Sequence, residues 1–126
     1  MHRNSTRDRL ARWGQLLLWM GLIFVFSSQP DRPHLAEPTI DRLLEPLGHA
    51  LEYGVLAHLW VRALRGEGLA PTHVLWTSLL LSWLYALSDE WHQSYVAGRE
   101  ADLLDLAFDT LGMGMALMGW TRSGRK

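Results

Sequence analysis

The densest run of groups able to do chemistry is Ser88-Asp-Glu-Trp-His-Gln-Ser-Tyr-Val-Ala-Gly-Arg99, with two acids, an imidazole, an amide and a guanidinium in twelve residues. Asp89, Glu90, His92, Gln93 and Arg99 are therefore the candidates for a reacting centre. A carboxyl group held in apolar surroundings keeps its proton to higher pH and can donate it, and an arginine fork suits an anionic ligand. Two other segments supply matching groups. On a helix starting near Ala101, Asp102, Asp105 and Asp109 fall at i, i+3 and i+7 and share one face. Gly112 continues that stripe, and Asp109 lies about 10 Å below Asp102 at 1.5 Å per residue. His49, Glu52 and Tyr53 fall at i, i+3 and i+4, again on one face. If the three regions converge, His49, Glu52, Tyr53, Asp105 and Asp109 line a ligand-binding pocket beside the first cluster.

Each group also has an ordinary role. Glu100 and Asp102 can be solvated acids, and Asp105 or Asp109 can pair with Arg99 as a structural ion pair. His49 and His92 can be hydrogen-bonded residues at an interface. His2, His34, His58 and His73 have no acidic partner at a useful spacing. Gly112 and Gly114 suit close helix packing, and Ser27 and Ser28 can return hydrogen bonds to the backbone at a helix end. Acids with histidine can hold a divalent cation through O and N ligands. The spacing of a helical zinc motif such as H-E-x-x-H is absent, so the sequence assigns no metal ligand and names no cofactor. With no cysteine, thiolate chemistry and disulfides are excluded.

The elements that carry these residues show in where charge is missing. The 126-residue chain averages near zero hydropathy, as a soluble protein would, but its charges are unevenly placed. Trp13 to Pro30 is uncharged for eighteen residues and Gly68 to Ser88 for twenty-one. Such runs are candidates for membrane-crossing helices, which need about 20 residues for a ~30 Å core. Pro46 to Val61 and Ala101 to Thr121 are apolar but hold Glu52 and the three aspartates. An acid near a helix centre costs about 2.5–3.5 kcal/mol on insertion scales, so acids kept there point to function. The sequence thus predicts an all-α integral membrane protein with four transmembrane helices, spans about 13–29, 46–64, 71–88 and 101–121, in one domain. No A-x-A-like cleavage site follows Phe26-Ser-Ser-Gln-Pro30, so the first run reads as a retained span.

Orientation follows from lysine and arginine. Nine lie at one side (Arg3, Arg7, Arg9, Arg12, Arg62, Arg65, Arg122, Arg125, Lys126) and three at the other (Arg32, Arg42, Arg99). Both termini are expected in the cytoplasm, and the loops at about 30–45 and 89–100 outside. Trp13, Trp60, Trp76 and Trp120 then fall near inner ends and Trp91 near an outer end, where indoles prefer to sit. Trp19 and Trp83 lie deeper and are expected to pack between helices. Pro30, Pro33, Pro38 and Pro46 predict a partly extended outer flap over 30–46, with a short helix at Thr39–Leu44 capped by Thr39 as an option. The net charge of −1 offers no basic field for nucleic acid.

These residues resemble the VanZ-like membrane protein family in four ordered blocks. Phe26-Ser-Ser-Gln-Pro30 is similar to the family's F-S-S-Q-P. His49-x-x-Glu-Tyr53 with Leu56 is similar to H-x-x-E-Y-x-x-L. Tyr85-Ala-Leu-Ser-Asp-Glu-Trp-His-Gln-Ser-Tyr95 resembles D-E-x-H-Q-x-F with Tyr95 for Phe, and Gly98-Arg99 with Asp105, Asp109 and Gly112 resembles the family's G-R…D…D/N…G block. Pro46-Leu-Gly stands where a lysine often precedes the histidine, Ala97 where a proline precedes Gly-Arg, and Asp102 where serine is common. The resemblance implies a small four-helix membrane protein. It also implies a link to low-level resistance to the glycopeptide teicoplanin, an association of the founding member. The expected partners are the lipid bilayer and a lipid-linked or cell-wall ligand. The alternatives are a lipid-handling or transport-type protein, a structural partner subunit, or a soluble helical bundle.

Overall fold

The computed structural model describes residues 5–29, 38–99 and 101–124. The described chain is all-helical: α1 Thr6–Ser27, α2 Pro38–Gly66, α3 Pro71–Gln93 and α4 Leu103–Ser123. Ser5 caps α1, its hydroxyl accepting from the Asp8 N–H at 3.2 Å and donating to the Asp8 carboxylate at 3.0 Å, which satisfies an orphan donor of the first turn. α3 opens with Pro71, where a missing N–H is harmless. Asp102 caps α4 by accepting from Leu104 N–H at 2.8 Å.

Three boundaries differ from the sequence expectation, the first being α1, which begins at Thr6 rather than near residue 13 because Ser5 caps it there. α2 starts at Pro38 and runs through Pro46 without a break, so residues 38–46 are helix rather than flap and Thr39 lies inside it rather than at its cap. Residues 30–37 of the expected flap lie outside the described residues. Pro38 occupies a first-turn position that has no hydrogen bond to lose, and Pro46 removes a single bond from a 29-residue helix. Asp41 in the first turn also favours the helix dipole. At the third boundary α3 continues past Ser88 to Gln93, so the first five residues of the expected outer loop of 89–100 are a helix end. The turn after it reverses at Gly98, whose φ of 79° suits glycine.

The four helices run up and down, and α2 is central, packing on α4 most extensively and then on α3 and α1. One end is joined by side chains that bridge elements. Trp13 packs edge-on against Trp60 with ring centroids 6.0 Å apart. Its indole N–H donates to Glu67 at 2.9 Å, and Arg9 pairs with the same carboxylate at 2.9 Å. Arg62 donates to Gln15 at 2.9 Å, and Arg65 lies 5.9 Å from the Trp120 ring centre. Glu67 therefore ties α1 to the α2–α3 corner twice. Glu67→Ala is expected to lower thermal stability by about 1 kcal/mol. Arg9→Ala should cost less, because an exposed ion pair is worth about 0–1 kcal/mol. Melting of detergent-purified variants followed by tryptophan fluorescence checks the order.

The core joins Leu16, Ile23, Leu56, Val61, Val74, Met113 and Leu117 with small residues such as Ala57, Ala63 and Ala86. Large apolar side chains also cover the middle of the outer surface, among them Leu17 and Leu18 on α1, Leu51 on α2, Leu80 and Leu84 on α3, and Leu111 and Met115 on α4. Among the described residues α1 alone is long and apolar enough, by length and composition, to cross a membrane; α2, α3 and α4, also expected as spans, do not meet that measure. Trp19 packs inward and donates to the Glu52 carbonyl at 2.9 Å. Trp83 does not pack between helices as expected: it is 39% exposed.

Candidate functional site

At the end opposite the tryptophan–arginine cluster, the polar residues turn inward. His49, Asp89, Glu90, Gln93, Asp109 and Ser27 are all buried, and four helices contribute to them. The register explains the placement. His49 and Tyr53 share one face of α2, Asp105 and Asp109 one face of α4, and Asp89 and Gln93 one face of α3. Gly112 makes the α2–α4 approach close enough to join the first two: a Cβ at residue 112 would fall on the Ala50 carbonyl oxygen, and one at Gly54 would meet the Gly112 carbonyl oxygen at 3.2 Å. Gly114 faces open space, so of the two glycines only Gly112 serves the packing.

The centre of the arrangement is His49, 1% exposed. Its Nδ1 lies 2.9 Å from Asp109 Oδ1 and its Nε2 lies 3.5 Å from Asp105 Oδ2. One turn along α2, the Tyr53 hydroxyl donates to Asp89 Oδ2 at 2.9 Å. Gln93 donates to the Ser27 hydroxyl at 3.1 Å, closing α3 on α1. Glu90 Oε2 accepts from the Asp102 backbone N–H at 3.0 Å and so fastens the start of α4 to the end of α3. Glu90 stands two residues beyond the apolar run that ends at Ser88. Burial raises its carboxyl above the ordinary range, and the Asp102 N–H only partly offsets this. Glu90 Oε1 and Asp109 Oδ2 are buried without a hydrogen-bond partner, two unspent acceptors in one region.

Seven of the sequence candidates thus gather here: Asp89, Glu90, Gln93, His49, Tyr53, Asp105 and Asp109. Three stand apart. His92 leans on α1, stacked on Phe24 at 4.7 Å with its Nδ1 buried and without a hydrogen-bond partner. Arg99, in the turn before α4, reaches the Phe26 carbonyl at 3.4 Å. Glu52 offers its backbone carbonyl to Trp19 and is half-buried. The ion pair weighed for Asp109 with Arg99 is replaced by the pair with His49, because the Asp105–Asp109 face of α4 turns to α2 rather than to the turn before it. Asp102 caps the helix instead of extending the stripe. Ser28 returns its hydroxyl to the Phe24 carbonyl at 2.7 Å as expected, whereas Ser27 serves Gln93. His58 and His73 are exposed, and His2 and His34 lie outside the described residues.

One residue of this site escaped the sequence reading. Glu45, four residues before His49, belongs to the same helix face once α2 is seen to begin at Pro38. A carboxylate oxygen of Glu45, an imidazole nitrogen of His49 and a carboxylate oxygen of Asp105 all lie within 4.8 Å of one another. The signal was the i−4 spacing, hidden by the assumption that Pro46 begins the helix. A cavity of about 360 Å³ lined by Arg65, Pro71, Thr72, Leu75, Trp120, Thr121 and Gly124 opens at the opposite end and includes none of the candidates.

Four antiparallel helices with an apolar outer surface and a buried acid–histidine–tyrosine network at one end define a small helical protein built around an internal polar site. A family described as VanZ/LLP1 matches residues 13–122, and the chain belongs to that family. The match begins within α1 and runs to the end of α4 but for one residue, so the motifs shared with VanZ-like proteins and the buried network fall in the same segment. No curated protein and no solved structure matches the chain.

Proposed function

We propose that this chain is a multi-pass membrane protein of the cell envelope. Its buried network forms an outward-facing site for a lipid-linked or cell-wall component, and the protein contributes to glycopeptide resistance. The membrane reading rests on an inverted surface. The helices are 22, 29, 23 and 21 residues long, at least about 30 Å each. Their flanks expose leucine, methionine and tryptophan while His49, Asp89, Glu90, Gln93 and Asp109 are buried, the reverse of a soluble bundle. The arginine asymmetry then sets both termini inside and the network outside.

The observation that carries the functional reading is the pairing of His49 with Asp109 and of Tyr53 with Asp89 inside an apolar bundle. Ionisable groups are costly there and are retained for a task. In this reading Asp89, Glu90 and Gln93 face the ligand together with His49, Tyr53, Asp105 and Asp109. Arg99 lies at the rim for an anionic group, with His92 and Glu52 on the flanks. The test is teicoplanin susceptibility of a sensitive host expressing the chain, with vancomycin alongside. Wild type is expected to raise the teicoplanin inhibitory concentration and Asp89→Asn, at matched membrane abundance, is not. Equal protection by both would remove the site from the function, and protection by neither would remove the resistance role.

A second reading, lipid handling along a polar path, draws support from Ser78 and Ser82. Both are fully buried on the inner face of α3 with hydroxyls lacking partners, and they extend the polar face from Asp89 toward the cytoplasmic half. Loss of lipid redistribution in Ser78→Ala/Ser82→Ala vesicles, with the susceptibility phenotype retained, favours the path.

A further inference from the structure

The geometry points to a divalent transition-metal site at the outer end of the bundle, formed by Glu45, His49 and Asp105, with Asp109 as the carboxylate that orients the histidine. The inference rests on the reading above only in placing this end outside; the site itself is argued from the coordination chemistry of its side chains.

His49 is set as a ligand. Metal binding takes the neutral imidazole; with Asp109 ionised as the acceptor, the remaining proton then sits on Nδ1, 2.9 Å from Asp109 Oδ1. That fixes the tautomer and leaves Nε2 as a lone pair on the other side of the ring. Metal-binding histidines characteristically give their second ring N–H to a carboxylate, which orients the ring and raises its basicity. Nε2 faces Asp105 Oδ2 at 3.5 Å, too far for a charge-assisted hydrogen bond of about 2.7–2.9 Å. It is close to the spacing of about 3.4 Å between two ligands that share a tetrahedral ion at about 2.0–2.1 Å from each. Glu45 completes the trio, with all three ligand atoms within 4.8 Å of one another.

A second observation is independent of that trio. Asp109, 1% exposed, keeps Oδ2 buried without a hydrogen-bond partner on the carboxylate that meets His49. Glu90, 8% exposed, likewise keeps Oε1 without one. Buried carboxylate oxygens left unsatisfied mark a place where positive charge belongs. Glu45 is exposed, which gives the ion a route in from the outer side. One imidazole with two carboxylates suits Mn²⁺ or Zn²⁺ better than the all-oxygen preference of Ca²⁺ or the hydrated octahedron of Mg²⁺. Three protein ligands leave a position to which an anionic oxygen of the envelope ligand can bind.

The test uses the full chain, purified in detergent, stripped with EDTA and titrated calorimetrically with MnCl₂ and with ZnCl₂. One equivalent of at least one of them is expected to bind, undisplaced by tenfold excess Mg²⁺ or Ca²⁺. Glu45→Gln and Asp105→Asn are each expected to weaken binding tenfold or more. Asp109→Asn, which touches the metal only through His49, is expected to weaken it about 10–100-fold, and Asp8→Asn on the far end of α1 leaves it unchanged. Glu45 is exposed, so its variant reports even if changes at buried His49 impair folding; circular dichroism verifies the helices of each. Failure of both ions to bind folded wild type, or binding indifferent to Glu45→Gln and Asp105→Asn, overturns the site. Binding with no effect of Asp89→Asn on susceptibility would retain the metal site and overturn the envelope reading instead.

Discussion

Gly112→Ala is expected to abolish the native packing of α2 on α4 and with it the whole polar network. The added methyl would land on the Ala50 carbonyl oxygen, and backbone cannot rotate aside as a side chain can. Overpacking of a core costs about 1–3 kcal/mol when side chains absorb it. Here two helix backbones must separate, so the loss is expected at or above about 3 kcal/mol, a large share of a small protein's stability. Separation would also lengthen the His49–Asp109 contact of 2.9 Å, coupling the stability defect to the site. Gly114→Ala is the control, since nothing lies within 4 Å of its added carbon and alanine is the better helix former by about 1 kcal/mol. Near-ultraviolet circular dichroism and thermal melting in detergent should show Gly112→Ala without a native tertiary signal and Gly114→Ala at or above wild type. A native spectrum for Gly112→Ala would mean the helices do not cross so closely.

The contrast shows what was legible in the sequence. Periodicity placed Asp105, Asp109 and Gly112 on one stripe and His49 with Tyr53 on another, and all five meet at the α2–α4 and α2–α3 contacts. α1 and α3 were legible from charge-free runs, and α2 and α4 from apolar runs that hold acids. What periodicity does not carry is which neighbour a face turns to. His92 lies in the richest motif yet stacks on Phe24, because α3 at that level has one face toward α2 and α4 and another toward α1. Trp83 looked internal by depth alone, but depth along the helix axis says nothing about rotation around it. Pro46 was weighted as a helix breaker although a 29-residue helix absorbs one missing hydrogen bond, and that hid Glu45. Ser27 and Gln93 were legible as polar groups at helix ends, but their partnership, 66 residues apart in sequence, is a product of tertiary packing.

The second large effect is expected at His49 and Asp109, where the size of the loss reports the charge state of the pair. Neutral hydrogen bonds between helices in a membrane average about 0.6 kcal/mol, whereas removing one member of a buried ion pair costs about 3–5 kcal/mol because its partner is left uncompensated. Both residues are 1% exposed, and Asp109 Oδ2 has no hydrogen-bond partner among the described residues, so no second protein donor is placed to take over. His49→Ala is therefore expected to destabilise the bundle by about 3 kcal/mol or more in metal-free protein, and Asp109→Ala by less, since the imidazole it leaves behind can become neutral. Replacing both, as His49→Leu with Asp109→Leu, removes the charges together and is expected to cost less than the sum of the singles by about 2 kcal/mol or more. Equilibrium unfolding of the four proteins in mixed micelles gives that coupling energy. A coupling near 0.6 kcal/mol would identify an ordinary neutral hydrogen bond and a protonated Asp109. A large one identifies an ionised carboxylate held against the imidazole. On the function and metal site proposed above, the double variant should then fold while losing both metal binding and teicoplanin protection, which separates what the pair does for the bundle from what it does for the site.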